Sequence, residues 1–317
     1  MTKPTDPPLS LIGVPLDLGA KNLGVDIGPD AFRYAGIIKK LASAGLEIRD
    51  EGTIKVRDRS LLKVGNNPRL RYVEEIVRVS NESSKLTDRL ISEGQRIIGL
   101  GGDHSMTLGL VSGASRALHG ELGLIYLDAH GDMNTDATTL SGNIHGMHLA
   151  SLMGFGAEEL TSVHSSEVKI AKQNLLHIGG SDWDQAELDL IARHDLSTFT
   201  LLDLLKSGLG PLFAQIDALA SHVRNVWISL DLDVIDQIYA PGAGMPNAKG
   251  LTYREIATIA EYIGQQCHVV GVDVVEYNPL QDEQNKTAEL GIELIAKFLG
   301  KNYSWYTSYM AHNQLGN

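Results

Sequence analysis

Leu122-Gly-Leu-Ile-Tyr-Leu-Asp128-Ala-His130-Gly-Asp132 carries an apolar run straight into a carboxylate, an imidazole and a second carboxylate. The run lacks the alternation of a half-exposed strand and reads as a strand buried on both faces, as in a parallel sheet. Val226-Trp-Ile-Ser-Leu230 repeats the pattern and runs into Asp231-Leu-Asp233. In open α/β sheets, ligands bind beyond the carboxyl ends of the strands, where both polar sets fall. Side chains alternate along a strand, so Asp231 and Asp233 are expected to share a face, as are Asp128, His130 and Asp132 if the chain stays extended.

Outward from these two runs, strand-like and helix-like stretches alternate along the chain. Strands are expected over residues 10–15, 46–51, 96–100, 122–127, 175–179, 196–201, 226–230 and 269–275. Helices are expected over 29–44, with Pro29 in the first turn, and over 69–94, 184–194, 209–223, 253–266 and 287–299. Residues 53–68, with Gly65-Asn-Asn-Pro68, read as a loop. Eight strands alternating with helices predict an α/β fold in which a parallel sheet is covered on both faces. No repeat, low-complexity tract or linker divides the sequence, so a single domain over 1–317 is expected, ending in a polar tail after Tyr303.

Composition narrows the function classes. Apolar content of 43% and charged content of 21% belong to a globular protein, and the net charge of −12 disfavours nucleic acid or an anionic membrane as a partner. No apolar run approaches a membrane span, and Met1-Thr-Lys-Pro-Thr-Asp-Pro-Pro8 lacks the apolar core of a signal peptide. Cys267 is the one cysteine, so an intrachain disulfide is impossible and a reducing cytoplasm is the expected compartment. Its neighbours, His-Val-Val, mark it as a small hydrophobe rather than a nucleophile.

A third stretch, Gly101-Gly-Asp-His104-Ser105, follows another apolar run. Together the three stretches bring four carboxylates (Asp128, Asp132, Asp231, Asp233) and two imidazoles (His104, His130) to strand ends. Two carboxylates about 4 Å apart repel by roughly 4 kcal/mol at an effective dielectric near 20, so such a cluster calls for cations. Two divalent metals would balance the four charges, and an oxygen-dominated set with some imidazole suits manganese better than zinc. The plainer alternative is that each short motif only caps a helix; three motifs, each ending an apolar strand, weigh against it.

These residues carry a resemblance to the arginase family of ureohydrolases, covering nearly the whole chain. Ile12-Gly-Val-Pro-Leu-Asp-Leu-Gly19 with Gly24-Val-Asp-Ile-Gly-Pro29 resembles the family's amino-terminal signature. Gly101-Gly-Asp-His-Ser105, Asp128-Ala-His-Gly-Asp-Met-Asn134 and Ser229-Leu-Asp-Leu-Asp-Val-Ile-Asp236 resemble its metal motifs. Ser141-Gly-Asn-Ile-His-Gly146 and Glu276-Tyr-Asn-Pro279 resemble its substrate-side motifs. The resemblance implies a three-layer α/β/α sandwich around an eight-stranded parallel sheet, two Mn²⁺ per chain and a homo-oligomer, trimer or hexamer. It further implies that His104 and Asp132 bind one manganese, that His130 and Asp233 bind the other, and that Asp128 and Asp231 bridge the pair.

The activity implied is hydrolysis of L-arginine, a small cationic guanidino substrate, to L-ornithine and urea. Guanidinium is a resonance-stabilised cation that water alone attacks poorly, which is the chemical need that a metal pair answers. Glu276 would hold the guanidinium by a charge-assisted pair, and His145 matches the family's proton shuttle, with imidazole suited to proton transfer near neutrality. Asn134, Ser141 and Asn143 match positions that bind the substrate α-carboxylate, and Asp184 matches the one that receives the α-ammonium. These favour arginine over agmatine, which lacks the carboxylate. His148 has no such match and is expected to be structural, as are His119, His164, His177, His194, His222, His268 and His312. Three positions depart from the family pattern: Gln237 and Ser181 at loops, and Met245, in Gly242-Ala-Gly-Met-Pro246, where a threonine is usual and where the side chain would line the substrate site. The alternatives are a ureohydrolase for another guanidino or amidino compound, such as agmatine or guanidinobutyrate, and a metal-binding regulatory protein without catalysis.

Overall fold

A computed structural model describes residues 7–303; the expectations for the amino-terminal leader, the tail after Tyr303 and His312 lie outside them. Eight strands, all parallel, form one sheet: β1 (Leu9–Val14), β2 (Ile48–Thr53), β3 (Arg96–Gly101), β4 (Leu122–Asp128), β5 (Leu175–Gly179), β6 (Thr198–Thr200), β7 (Asn225–Asp231) and β8 (Val269–Val275). Their spatial order is β2-β1-β3-β8-β7-β4-β5-β6. After β3 the chain leaves two positions open and starts the other half with β4; β7 and β8 return to fill the gap. Such a break in strand order is where an open α/β sheet leaves a crevice for ligands.

β4, β7 and β8 are buried at every residue, as their unbroken apolar runs predict. The edge strand β2, Ile-Arg-Asp-Glu-Gly-Thr, is largely solvent-facing, and its charges discourage pairing with another sheet edge.

Eleven helices cover the two faces. They are α1 (Gly28–Tyr34), α2 (Ile37–Ser43), α3 (Val73–Ser92), α4 (Thr107–Ala117), α5 (His148–Leu152), α6 (Glu158–Thr161), α7 (Gln185–His194), α8 (Leu201–Ser207), α9 (Gly210–His222), α10 (Tyr253–Gln266) and α11 (Lys286–Phe298). One apolar core joins the sheet to α1, α2 and α8–α11, through residues such as Phe32, Leu41, Leu212, Ile259 and Phe298. The other joins it to α3–α7, through Ile76, Leu110, Leu149 and Leu160. This is the three-layer sandwich expected.

Two departures have local causes. The helix expected over 29–44 breaks into α1 and α2 at Gly36, whose φ of 82° lies in the left-handed region that glycine adopts without cost. The helix α4 was not expected. It is buried on nearly every side and so lacks the polar face by which a helix is recognised in sequence. Gly109 and Gly113 let it approach α3 at Ser80, Ser83, Ser84 and Thr87, where a methyl group on either glycine would collide with α3. The short α5, α6 and α8 were likewise not foreseen.

Candidate metal centre and substrate cavity

The neighbouring strands β3, β8, β7 and β4 deliver their carboxyl ends to one spot. His104 lies just past β3 and Glu276 just past β8, while Asp231 ends β7 and Asp128 ends β4. The chain does not stay extended beyond β4 or β7, contrary to expectation. Asp128 Oδ1 accepts the His130 N–H (2.7 Å) and Asp231 Oδ1 accepts the Asp233 N–H (2.9 Å). A short aspartate side chain bonding its own backbone two residues on turns the chain there, and Asp132 adopts a φ of 50°.

The turns still bring all six expected ligands together, because each bridging aspartate has a second oxygen. Asp128 Oδ2 and Asp231 Oδ2 lie 3.0 and 3.2 Å from His104 Nδ1, and Asp132 Oδ2 lies 3.4 Å from it. His130 Nδ1 lies 3.0 Å from Asp233 Oδ2 and 3.4 Å from Asp128 Oδ1. The capping role and the cluster role are thus shared between the two oxygens of one side chain. Among the described residues, His104-Asp128-Asp231 and Asp128-His130-Asp233 each place ligand atoms close enough to hold one ion, with Asp128 common to both.

The donor set fits divalent metals. Asp128 Oδ2 is buried without a hydrogen-bond donor. Burial pushes Asp231 and Asp233 up, and neighbouring carboxylates add to it; burial and the Asp128 charge push Asp132 up to about 8. His104 and His130 are buried too, yet the adjoining aspartates raise both. Two imidazoles cannot neutralise four clustered carboxylates, whereas two divalent cations can.

Beneath the cluster runs a polar rung that the sequence reading missed. Gly99, Asp273, Ser229, Tyr126 and His177 are in register across β3, β8, β7, β4 and β5, so their side-chain directions coincide. Asp273, fully buried, accepts Trp227 Nε1–H (2.5 Å), Thr107 Oγ1–H (2.9 Å) and Ser229 Oγ–H (2.7 Å). Its pKa is raised by burial, and these donors counter that. With its proton on Asp273, Ser229 accepts from His104 Nε2 at 2.9 Å. That fixes the His104 tautomer and leaves Nδ1 bare toward the carboxylates, as a metal ligand requires. His177 Nε2 meets the His130 carbonyl at 2.7 Å and is held at about 4 by burial. A polar residue inside an apolar strand, Asp273 in Val-Gly-Val-Asp-Val-Val, was the available signal.

A cavity of roughly 250 Å³ opens over the cluster, at the small end of the range for small-molecule sites. His130, Asp132, Asp231 and Asp233 line its inner end together with His145 and Glu276. Glu276 has a φ of 57°, rare for a residue with a side chain and typical of strained functional positions. Its N–H bonds the Gly102 carbonyl (2.8 Å), its carbonyl takes the Gly244 N–H (2.6 Å) and its Oε1 takes the His104 N–H (2.9 Å), so three bonds hold the strain. Gly102 is required there, since a Cβ would overlap the Leu16 carbonyl. His145 Nδ1 lies 3.3 Å from Glu276 Oε1. Burial opposes charge on His145, but the Glu276 carboxylate prevails and holds its pKa at about 9.

The outer end is acidic and partly open. Asn134, Asp184 and Met245 line it as expected, and Asp182 and Glu187, not foreseen, join them. Asn134 Nδ2–H donates to Asp184 Oδ2 (2.8 Å), while Asp184 Oδ1 and Glu187 form the reciprocal cap that starts α7. Ser141 and Asn143 are not part of the lining; the Asn143 N–H bonds Ser141 Oγ (3.2 Å) on the same loop. His148, expected to be structural, is fully buried beside His104 and is kept neutral by burial. Cys267 is half-buried and pushed up to about 12 by burial, in keeping with an inert thiol.

Known proteins share this arrangement. The sequence model of the Arginase family matches residues 8–300. An arginase of Staphylococcus aureus is 39% identical, with 92% of this chain and 97% of the relative covered. An arginase of Brevibacillus brevis is 37% identical over the same shares of the two chains. The crystal structure of Bacillus caldovelox arginase superposes with a TM-score of 0.89 at 36% identity, covering 93% of this chain and 99% of that one. Match length, identity and fold agree, and the chain belongs to the arginase family.

Proposed function

We propose that this protein hydrolyses L-arginine to L-ornithine and urea with two divalent metals, manganese the physiological ion. The observation that carries the reading is the sharing of Asp128 between two imidazole–carboxylate groups directly beside Glu276 and His145. His104 and Asp132 would hold one ion and His130 and Asp233 the other, with Asp128 and Asp231 between them. When bound, such a pair lowers the pKa of water and supplies a nucleophile at neutral pH.

The remaining roles belong to the chain itself. Glu276, anchored through Oε1 to the His104 N–H, presents its carboxylate to the guanidinium. Water adds to the guanidinium carbon, and the bond from that carbon to the side-chain nitrogen breaks as a proton reaches the nitrogen. His145, charged at neutral pH beside Glu276, is placed to give that proton. Urea leaves with the attacking oxygen, and ornithine leaves with the protonated amine. At the outer end, Asp184 with Asp182 and Glu187 offers negative charge to the α-ammonium, and Asn134 spans toward the carboxylate. Ser141 and Asn143, on the loop that follows, would reach the α-carboxylate from outside the cavity.

Two chemically different ends separate arginine from agmatine, which has nothing for Asn134, Ser141 and Asn143 to bind. A regulatory protein without catalysis would have no use for the strained Glu276 or the paired His145. We further propose that one domain spans 1–317, and that the protein works in the cytoplasm as a homo-oligomer, a trimer or hexamer. Its lone cysteine and the family resemblance support this. Among the described residues, no helix is long and apolar enough to cross a membrane. A urea-release assay with manganese on arginine, agmatine and guanidinobutyrate tests the function. Arginine should be turned over fastest; faster turnover of agmatine or guanidinobutyrate would move the assignment to that compound.

A further inference from the structure

We propose that His148 Nε2 is a ligand of the metal held by His104 and Asp132, giving that ion a second imidazole that none of the sequence motifs supplies. The inference rests on the metal-pair reading above and adds a residue to it. His104, Asp132 and His148 form a third group of ligand atoms close enough to share one ion, and all three residues are buried.

The hydrogen bonds assign the lone pairs. His148 Nδ1 lies 2.6 Å from the His145 carbonyl, which can only accept, so Nδ1 carries the proton and Nε2 is bare. His104 Nδ1 is bare by the Ser229–Asp273 relay already described. Both bare nitrogens face the Tyr126 hydroxyl, at 3.2 Å from His148 Nε2 and 3.0 Å from His104 Nδ1. That hydroxyl has one proton, and its shortest partner is Asp132 Oδ2 at 2.6 Å. Two imidazole nitrogens, a carboxylate and a phenol oxygen therefore converge in a buried pocket around a single hydrogen. A buried group left without a partner is costly, and the set has one physical remedy, a cation among its lone pairs.

The assignment has a consequence for metal choice. A second imidazole makes the shell richer in nitrogen than the six motif ligands alone, and imidazole favours the later first-row metals over manganese. The ion at this position should tolerate Co²⁺ or Zn²⁺ better than its neighbour, which has His130 as its lone imidazole.

Cobalt is the probe, because its spectra report ligands directly. The metal-free full-length chain is loaded with Co²⁺, and the exchangeable imidazole N–H resonances shifted by the paramagnetic ion are counted. His104, His130 and His148 should give three; two would overturn the proposal without any variant. His148→Asn keeps an N–H donor toward the His145 carbonyl, and it should bind one of its two cobalt ions about 10- to 100-fold more weakly, with a changed visible spectrum. Weaker binding with an unchanged spectrum would make His148 a support rather than a ligand and overturn the proposal. Unchanged affinity would also overturn it. A parent chain that binds fewer than two cobalt ions would instead strike the metal-pair reading itself.

Discussion

At the inner end of the cavity nearly every polar atom has two duties, whereas at the outer end the side chains are only loosely tied. Asp128 and Asp231 each turn the backbone with one oxygen and present the other to the cluster. His104 is gripped on one nitrogen by Ser229 and Asp273, and Glu276 is pinned by three backbone bonds. Outside, Ser141 is exposed and bonds only its own loop, and Met245 is 39% exposed with no polar atom to offer beyond its thioether. The contrast separates chemistry from selectivity. The inner end must fix charge to within a fraction of an ångström, while the outer end can change its substrate contacts without disturbing the core.

The comparison predicts a graded set of losses. Asp128→Ala removes the one ligand common to both groups, so it should release both metals and abolish urea formation, while His104→Ala should lose less metal. Metal content after dialysis reads this, and equal losses in the two variants would break the shared-ligand account. His145→Asn should lower kcat by roughly 10²- to 10⁴-fold, the range for a general acid–base group, with both metals retained. If the variant loses its metals and keeps its rate per loaded site, His145 holds the fold and moves no proton.

Smaller effects are expected farther out. Met245→Thr adds a hydroxyl beside Glu276; a net hydrogen bond of about 0.5–1.5 kcal/mol should raise kcat/KM for arginine a few-fold to about tenfold. No gain would show that Glu276 is already fully oriented. The smallest effect on turnover should come from Glu75, at the foot of α3, which binds Arg57 and Arg78 and fixes the loop 53–68. Burial raises its pKa, but the two guanidinium groups more than offset this, lowering it from an ordinary 4.5 to about 2. A depressed carboxylate stabilises the fold above its unfolded pKa and loses that contribution as pH falls through the folded one. Glu75→Gln should therefore lower Tm at pH 7 and narrow the gap to the parent between pH 4.5 and 2. A gap that stays constant over that window would remove the charge from the explanation.

Much of this architecture was legible before any coordinates. Eight apolar runs gave eight strands, and Asp128, His130, Asp132, Asp231, Asp233 and His104 announced themselves as polar residues at strand ends. The face-sharing argument reached the right residues by the wrong geometry, because the carboxylates bend the chain that was assumed straight. The polar rung was harder to see. Tyr126, Ser229 and Asp273 lie far apart in sequence and meet only through a register that depends on strand order, which periodicity does not encode. α4 was hidden by its own burial, since a helix packed on all sides through Gly109 and Gly113 has no polar stripe to reveal it. His148 was passed over because a lone histidine on a helix is usually structural, and only its placement against Tyr126 and His104 says otherwise.

The central claim is that two ions act together through a shared carboxylate. Titrating metal-free protein with manganese while following urea release from arginine tests it most directly. The account predicts activity that rises until two equivalents per chain are bound, with metal analysis of the fully active enzyme finding both. Full activity at one equivalent would contradict it.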